Sequence, residues 1–123
     1  VDGASVADAV RDLTGGGGAD LVFDFVGTDA THADSLAMLA RNGTYSVIGY
    51  GGAVRATSMG LVVAEHSVVG NLVGSWVDLW EVVQLHAAGR IRLQTETHPL
   101  EDVNEVLGRL ADGDVTGRAV LVP

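Results

Sequence analysis

The segment Leu21-Val22-Phe23-Asp24-Phe25-Val26 is nearly continuous apolar, bounded by glycine and of strand length. Such a run suits a strand buried on both faces, as in a parallel sheet. Gly27-Thr28-Asp29 turns the chain, with Thr28 or Asp29 placed to cap a helix. Ala33, Leu36, Ala37 and Ala40 then recur at i, i+3, i+4 and i+7, and their small side chains let a helix lie close to a sheet. Arg41-Asn42-Gly43 is a stop signal, and Tyr45-Ser46-Val47-Ile48 reads as a second strand. Strand, helix and strand in so short a stretch form a βαβ unit, which makes the two strands parallel and the crossover right-handed. The chain is thereby constrained to an open α/β sheet.

The flanking segments extend the same alternation. Val6, Ala9, Val10 and Leu13 predict an amphipathic helix over residues 4–14, closed by Thr14 and Gly15-Gly16-Gly17-Gly18. Residues 61–65 suggest a short helix, and Ser67 to Val73 a third strand. Ser75 and Asp78 have capping-box-like spacing ahead of a helix carrying Leu79, Val82, Val83 and His86 on one face. An extended piece over 91–97, a helix over 100–111 after Pro99, and a last strand Arg118-Ala119-Val120-Leu121-Val122 complete the chain.

Composition narrows the function classes. The 123 residues are 47% hydrophobic with a mean hydropathy of +0.29, which argues against disorder. Gly, Asp, Glu or Arg interrupts every apolar stretch before membrane-spanning length, so no membrane partner is expected. A net charge of −9 makes nucleic acid and anionic membranes poor partners. The acidic residues are spread over helix faces, where solubility accounts for them. With no Cys, disulfides, thiolate nucleophiles and Cys-based zinc sites are excluded, and a reducing cytoplasm is the expected location. The opening residues do not read as a signal peptide.

In open α/β sheets ligands bind beyond the carboxyl ends of the strands. Three glycine-bearing loops fall there: Val26-Gly27-Thr28, Ile48-Gly49-Tyr50-Gly51-Gly52 and Val73-Gly74-Ser75. Each alone is explained by a tight turn; three at one sheet edge point to a ligand platform. The Gly15–Gly18 run follows a helix and precedes a strand, the wrong order for a phosphate loop, and is a connector. His32, His66, His86 and His98 have no metal-ligand spacing, and His86 is expected to pack on the apolar face of its helix. Trp76 and Trp80 read as packing or interface residues. No nucleophile elbow supports hydrolysis. Asn42-Gly43-Thr44 matches a glycosylation acceptor only formally. Asp24, inside a strand, must be paired or hydrogen-bonded if buried, and a structural partner is expected rather than general-base chemistry. Arg118 opens the last strand, where its guanidinium could meet solvent, an acidic neighbour or a phosphate.

Several segments together resemble the medium-chain dehydrogenase/reductase family, the zinc-type alcohol dehydrogenases in particular. They are Leu13-Thr14-Gly15-Gly16, Ala19 to Gly27, Leu39 to Thr44 with Val47-Ile48-Gly49, Val69 to Ser75, Pro99 to Val106 and Gly117 to Pro123. The resemblance implies a partial doubly wound sheet, the second half of a Rossmann-type nucleotide-binding domain over residues 1–93. Residues 94–123 would form a segment returning to the catalytic domain. It implies hydride transfer between an alcohol or carbonyl substrate and NAD or NADP. Phe25, Val26 and Gly27 would lie near the adenosine ribose and adjoining cofactor, and Ile48, Gly49 and Tyr50 against the nicotinamide side. Backbone groups of Asn71 and Val73 would bond the carboxamide, and Arg118 the pyrophosphate.

The family's N-terminal domain with its zinc ligands and proton relay is absent, as are the glycine fingerprint and the acidic residue that reads the ribose. The chain is therefore expected to be a C-terminal portion, inactive alone, with zinc entering only through the missing N-terminal domain. The apolar strand 67–73 is expected at the sheet edge, pairing with its copy in a homo-oligomer. The alternatives are a zinc-independent quinone or enoyl reductase of the same superfamily and a non-catalytic α/β dimerisation or binding module.

Overall fold

The computed structural model describes residues 5–123, in two compact units that meet in sequence at Gly74/Ser75. In the first unit helix α1, Val6–Leu13, is capped by the Ser5 side chain accepting from the Asp8 amide. Position 4 of the expected helix lies outside the described residues. Strand β1, Ala19–Asp24, leads to helix α2, Asp29–Met38, and then to strand β2, Leu39–Val47. Helix α3, Ser58–Ala64, and strand β3, Ser67–Gly70, follow.

The sheet order is β1-β2-β3 and both pairings are parallel, as the βαβ pattern requires. Two right-handed crossovers in the same direction place α2 and α3 on one face of the sheet. Consistent with this, Leu36 of α2 and Leu61 of α3 line one groove. α1 joins that layer, where the Arg11 guanidinium donates to the carbonyl of Ala37. Tyr45, fully buried, and His32 lie where β2 meets α2.

Four expectations are corrected here. β1 ends at Asp24, so Phe25 and Val26 lie beyond it. Nor is it buried on both faces: Leu21, Phe23 and Phe25 are 50%, 56% and 72% exposed, because within this unit the helices cover only the other side. Arg41-Asn42-Gly43 does not end the helix, which stops at Met38. Asn42 takes φ 60 within β2, where the β1 pairing shifts register between Ala19 and Leu21. β3 is shorter than 67–73, because the Asn71 side chain turns back onto Ser46 Oγ (2.7 Å) and the Val69 carbonyl (3.2 Å).

The second unit holds helix α4, Trp76–Ala87, strand β4, Thr95–Pro99, a 3-10 turn Leu100–Asp102, helix α5, Val103–Ala111, and strand β5, Arg118–Val122. Ser75 and Asp78 form the full capping box. β4 and β5 are parallel, and the Arg109 guanidinium of α5 bonds Glu96 of β4 at 3.4 Å. His86 does not pack in a core; it is exposed, with Nδ1 3.3 Å from the Ile91 carbonyl.

At the tip of β1 the backbone admits only glycine. Gly27 has φ +73, and a Cβ there would overlap the backbone of Gly49 in the loop that follows β2. Gly27→Ala should therefore cost more than about 2 kcal/mol, read as a lower urea midpoint by circular dichroism. Gly108, on α5 with open space around it, should behave oppositely. Gly108→Ala should add up to about 1 kcal/mol through helix propensity, read by tryptophan fluorescence in the second unit.

Candidate functional site

The register fixes where the strands finish. Asp24 stands opposite Val47, and Val47 opposite Gly70, so three parallel strands end level with one another. The residues that follow are brought together: Phe25-Val26-Gly27, Ile48-Gly49-Tyr50 and Asn71. Carbonyl O of Asp24 accepts from the amides of Ile48 (2.9 Å) and Gly49 (2.8 Å), Gly27 O from Gly52 (2.7 Å), and Val47 O from Asn71 (2.9 Å). Gly27 and Gly49 are in backbone contact for lack of side chains. Val73 stands two residues further on, 96% exposed and with φ 35. A β-branched residue so placed is strained by about 1–2 kcal/mol. Arg118 belongs to the second unit, where its amide donates to Gln94 O at 2.9 Å and its guanidinium to Gly117 O at 3.0 Å.

Beneath the tips lies a buried cluster that the spacing of residues did not reveal. Asp24 is only 5% exposed. Its Oδ1 accepts from the amides of Val26 (2.8 Å) and Gly27 (2.9 Å), and its Oδ2 from the hydroxyls of Thr31 (2.8 Å) and Tyr45 (2.9 Å). The structural role expected for Asp24 is what the geometry provides. Burial by itself raises the carboxyl pKa; bonds from Gly27, Thr31, Val26 and Tyr45 outweigh it and bring the value down to about 2. Burial, then the hydrogen bond and charge of Asp24, push the Tyr45 phenol up to about 12. With the phenolic proton committed to Asp24, the His32 Nδ1 contact to Tyr45 Oη requires the imidazole proton on Nδ1, 3.3 Å from Asp24 Oδ2. The one available signal was Asp24 itself, a carboxylate inside an apolar strand, which demands partners.

A second clasp holds the loop after β2. Asp29 Oδ1 accepts from the Ala53 amide (2.7 Å) and Oδ2 from the Arg55 guanidinium (2.6 Å). Both side chains are exposed, and the Arg55 bond leads the causes that lower the Asp29 pKa.

A parallel sheet with its strand ends gathered under glycine-bearing loops defines a Rossmann-type α/β layer. The chain belongs to the zinc-binding dehydrogenase family, whose model matches residues 1–88. It is 36% identical to an NAD-dependent alcohol dehydrogenase of Sulfolobus acidocaldarius over 93% of its length and 34% of that protein. It is 33% identical to a D-arabinose 1-dehydrogenase (NADP(+)) of Saccharolobus solfataricus over 93% of its length and 33% of that protein. The crystal structure of the alcohol dehydrogenase from Aeropyrum pernix matches with a TM-score of 0.87 and 40% identity, covering 95% of this chain and 34% of that one. The chain thus spans about a third of the length of these relatives. The quinone or enoyl reductase and the non-catalytic module are not favoured by this company. Zinc has no fitting ligand set: among the described residues no group of three or more His, Cys, Asp or Glu could hold a metal. Among the same residues no helix is long and apolar enough to cross a membrane.

Because the folded Asp24 carboxyl titrates below its ordinary value, its contribution is complete above that value and lost as pH falls from 3.8 toward about 2. The size is about 2 kcal/mol. Urea unfolding between about pH 5 and pH 2 should show this loss in wild type. Asp24→Asn should show a shallower acid dependence by the same amount; an unchanged slope would remove the assignment.

Proposed function

We propose that this chain supplies the second half of the cofactor platform of an NAD(P)-dependent dehydrogenase, which transfers hydride between an alcohol or carbonyl substrate and the nicotinamide ring. The observation that carries the reading is the level ending of β1, β2 and β3 under glycine-bearing loops, where open α/β sheets take their ligands. Relatives named for NAD and for NADP support the cofactor class. Residues 1–93 would belong to the nucleotide-binding domain, with residues 94–123 returning to the catalytic domain. The cofactor would rest on Phe25, Val26, Gly27, Ile48, Gly49 and Tyr50, with Asn71 and Val73 serving the carboxamide and Arg118 the pyrophosphate. When bound, the nicotinamide cofactor supplies or accepts the hydride; this chain's own residues position it. No proton relay is assigned to them. We place the protein in the cytoplasm, with neither nucleic acid nor membrane as partner.

The 123-residue chain should have no dehydrogenase activity, and calorimetric titration should reveal no micromolar NAD affinity. Micromolar binding would show that the platform is already complete. β3 is a sheet-edge strand with Val68 and Val69 partly exposed, which supports self-association through residues 67–73. Sedimentation at tens of micromolar should find an oligomer that Val69→Lys dissociates; a monomeric wild type would overturn this part of the reading.

A further inference from the structure

The irregularity near the start of β2 confines a chemically reactive pair, Asn42-Gly43. The ladder with β1 passes from Leu39 to Thr44 on β2 while β1 advances only from Ala19 to Leu21. The ladder with β3 begins at Thr44, so Ala40 to Gly43 stand outside both. Asn42 takes φ 60, a left-handed conformation that asparagine adopts more readily than most side-chain-bearing residues. A Cβ on Gly43 would come within 2.7 Å of the Ala40 carbonyl oxygen and 3.0 Å of the Ala19 carbonyl oxygen, so glycine holds that position. The bulge thus selects the two residue types that together are least stable as a covalent pair. The main-chain nitrogen that follows an asparagine can attack its side-chain carbonyl, and glycine carries no side chain to hinder the approach. Asn42 is exposed, and among the described residues its carboxamide makes no hydrogen bond. The other two asparagines of the chain are held differently. Asn71 donates to Ser46 Oγ at 2.7 Å and to the Val69 carbonyl at 3.2 Å, and the bulkier Leu72 follows it. Asn104 lies within α5, ahead of Glu105.

We propose that Asn42 is a site of spontaneous covalent modification in the folded protein, losing its side-chain amide to attack by the Gly43 nitrogen. That nitrogen gives its proton to hydroxide and bonds to Asn42 Cγ. The bond from Cγ to the carboxamide nitrogen breaks, and the nitrogen takes up protons and leaves as ammonia. A five-membered succinimide remains. Water then adds to one of the two ring carbonyls and breaks that carbonyl's bond to the Gly43 nitrogen, which regains a proton. Opening at the side-chain carbonyl leaves an ordinary aspartate. Opening at the main-chain carbonyl leaves an isoaspartate, which adds one methylene to the main chain inside the bulge. Either product brings a new negative charge next in sequence to Arg41, whose Nε stands 3.3 Å from Glu65 Oε2. The site lies near the beginning of β2, whereas the glycine-bearing tips follow its end, so the inference is independent of the platform reading.

The test incubates the full chain for several weeks in mildly alkaline buffer made with oxygen-18 water, followed by peptide mapping in a mass spectrometer. The peptide carrying Asn42 should exchange its amide for a heavy oxygen at least roughly tenfold faster than those carrying Asn71 and Asn104, a barrier lower by about 1.4 kcal/mol. Part of the product should accept a labelled methyl group from S-adenosylmethionine through a protein isoaspartyl methyltransferase, as only the isoaspartyl form does. Unfolding the chain in urea should raise the Asn42 rate by no more than roughly tenfold, while Asn71 and Asn104 lose the protection that folding gives them. Asn42→Gly keeps the left-handed turn without the carboxamide; its circular dichroism should match wild type, and its methyl acceptance should drop. Conversion of Asn42 in urea with none in the folded chain would show that the bulge protects the pair, and would overturn the proposal. So would equal rates at all three asparagines, or methyl acceptance undiminished in Asn42→Gly.

Discussion

The arrangement of the strand tips depends on one carboxylate. Asp24 closes β1, and through its side chain and its carbonyl it gathers amides from its own tip and from the tip of β2. Burying a carboxylate is costly unless the charge is met. Here no lysine or arginine meets it; two amides and two hydroxyls do. The low pKa of Asp24 and the high one of Tyr45 are two faces of the same arrangement. A proton on the carboxylate would remove an acceptor that four donors share, and loss of the phenolic proton would set two negative charges side by side.

This constraint explains why glycine is needed where it is. With the Val26 and Gly27 amides drawn inward, the chain must turn sharply at Gly27, in the left-handed region, and pass against Gly49. Any side chain there would force β1 and β2 apart at the point where the loops meet. The strained backbone of Val73 lies at the third tip. Strain that survives in a folded chain tends to collect where a ligand or partner is met. The apolar row Leu21, Phe23 and Phe25 lies open to solvent, with Phe23 and Phe25 rings stacked 6.3 Å apart. The helices of the first unit all lie on the opposite side, so its layer is one-sided.

Much of this architecture was legible in the residue pattern. The apolar runs and the stripe of small residues between them led directly to two parallel strands and a crossover helix; the Ser75 cap stands where its spacing placed it, and of Thr28 and Asp29 it is Thr28 that caps α2. The element ends were less legible. The apolar run continues to Val26, but the side-chain bonds of Asp24 pull the backbone out of the ladder two residues earlier. Asn42 and Gly43 carry the chemistry of a stop, yet the chain absorbs them as an irregularity because Met38 had already ended the helix. His86 has the spacing of a core residue, but within its own unit that face of α4 stays exposed. In the site, glycine loops marked the tips, while the partners of Asp24 were invisible: Thr31, His32 and Tyr45 carry no motif.

The linear chain by itself determined the class of fold, the parallel direction of the strands and the location of the glycine-bearing loops at the strand ends. Each follows from local periodicity and from the geometric limits on a short crossover. Only the tertiary structure decided the polarity of those loops and the one-sided burial of β1. Which amides face inward depends on where a carboxylate lands relative to hydroxyls seven and twenty-one positions away, a relation that no local pattern encodes.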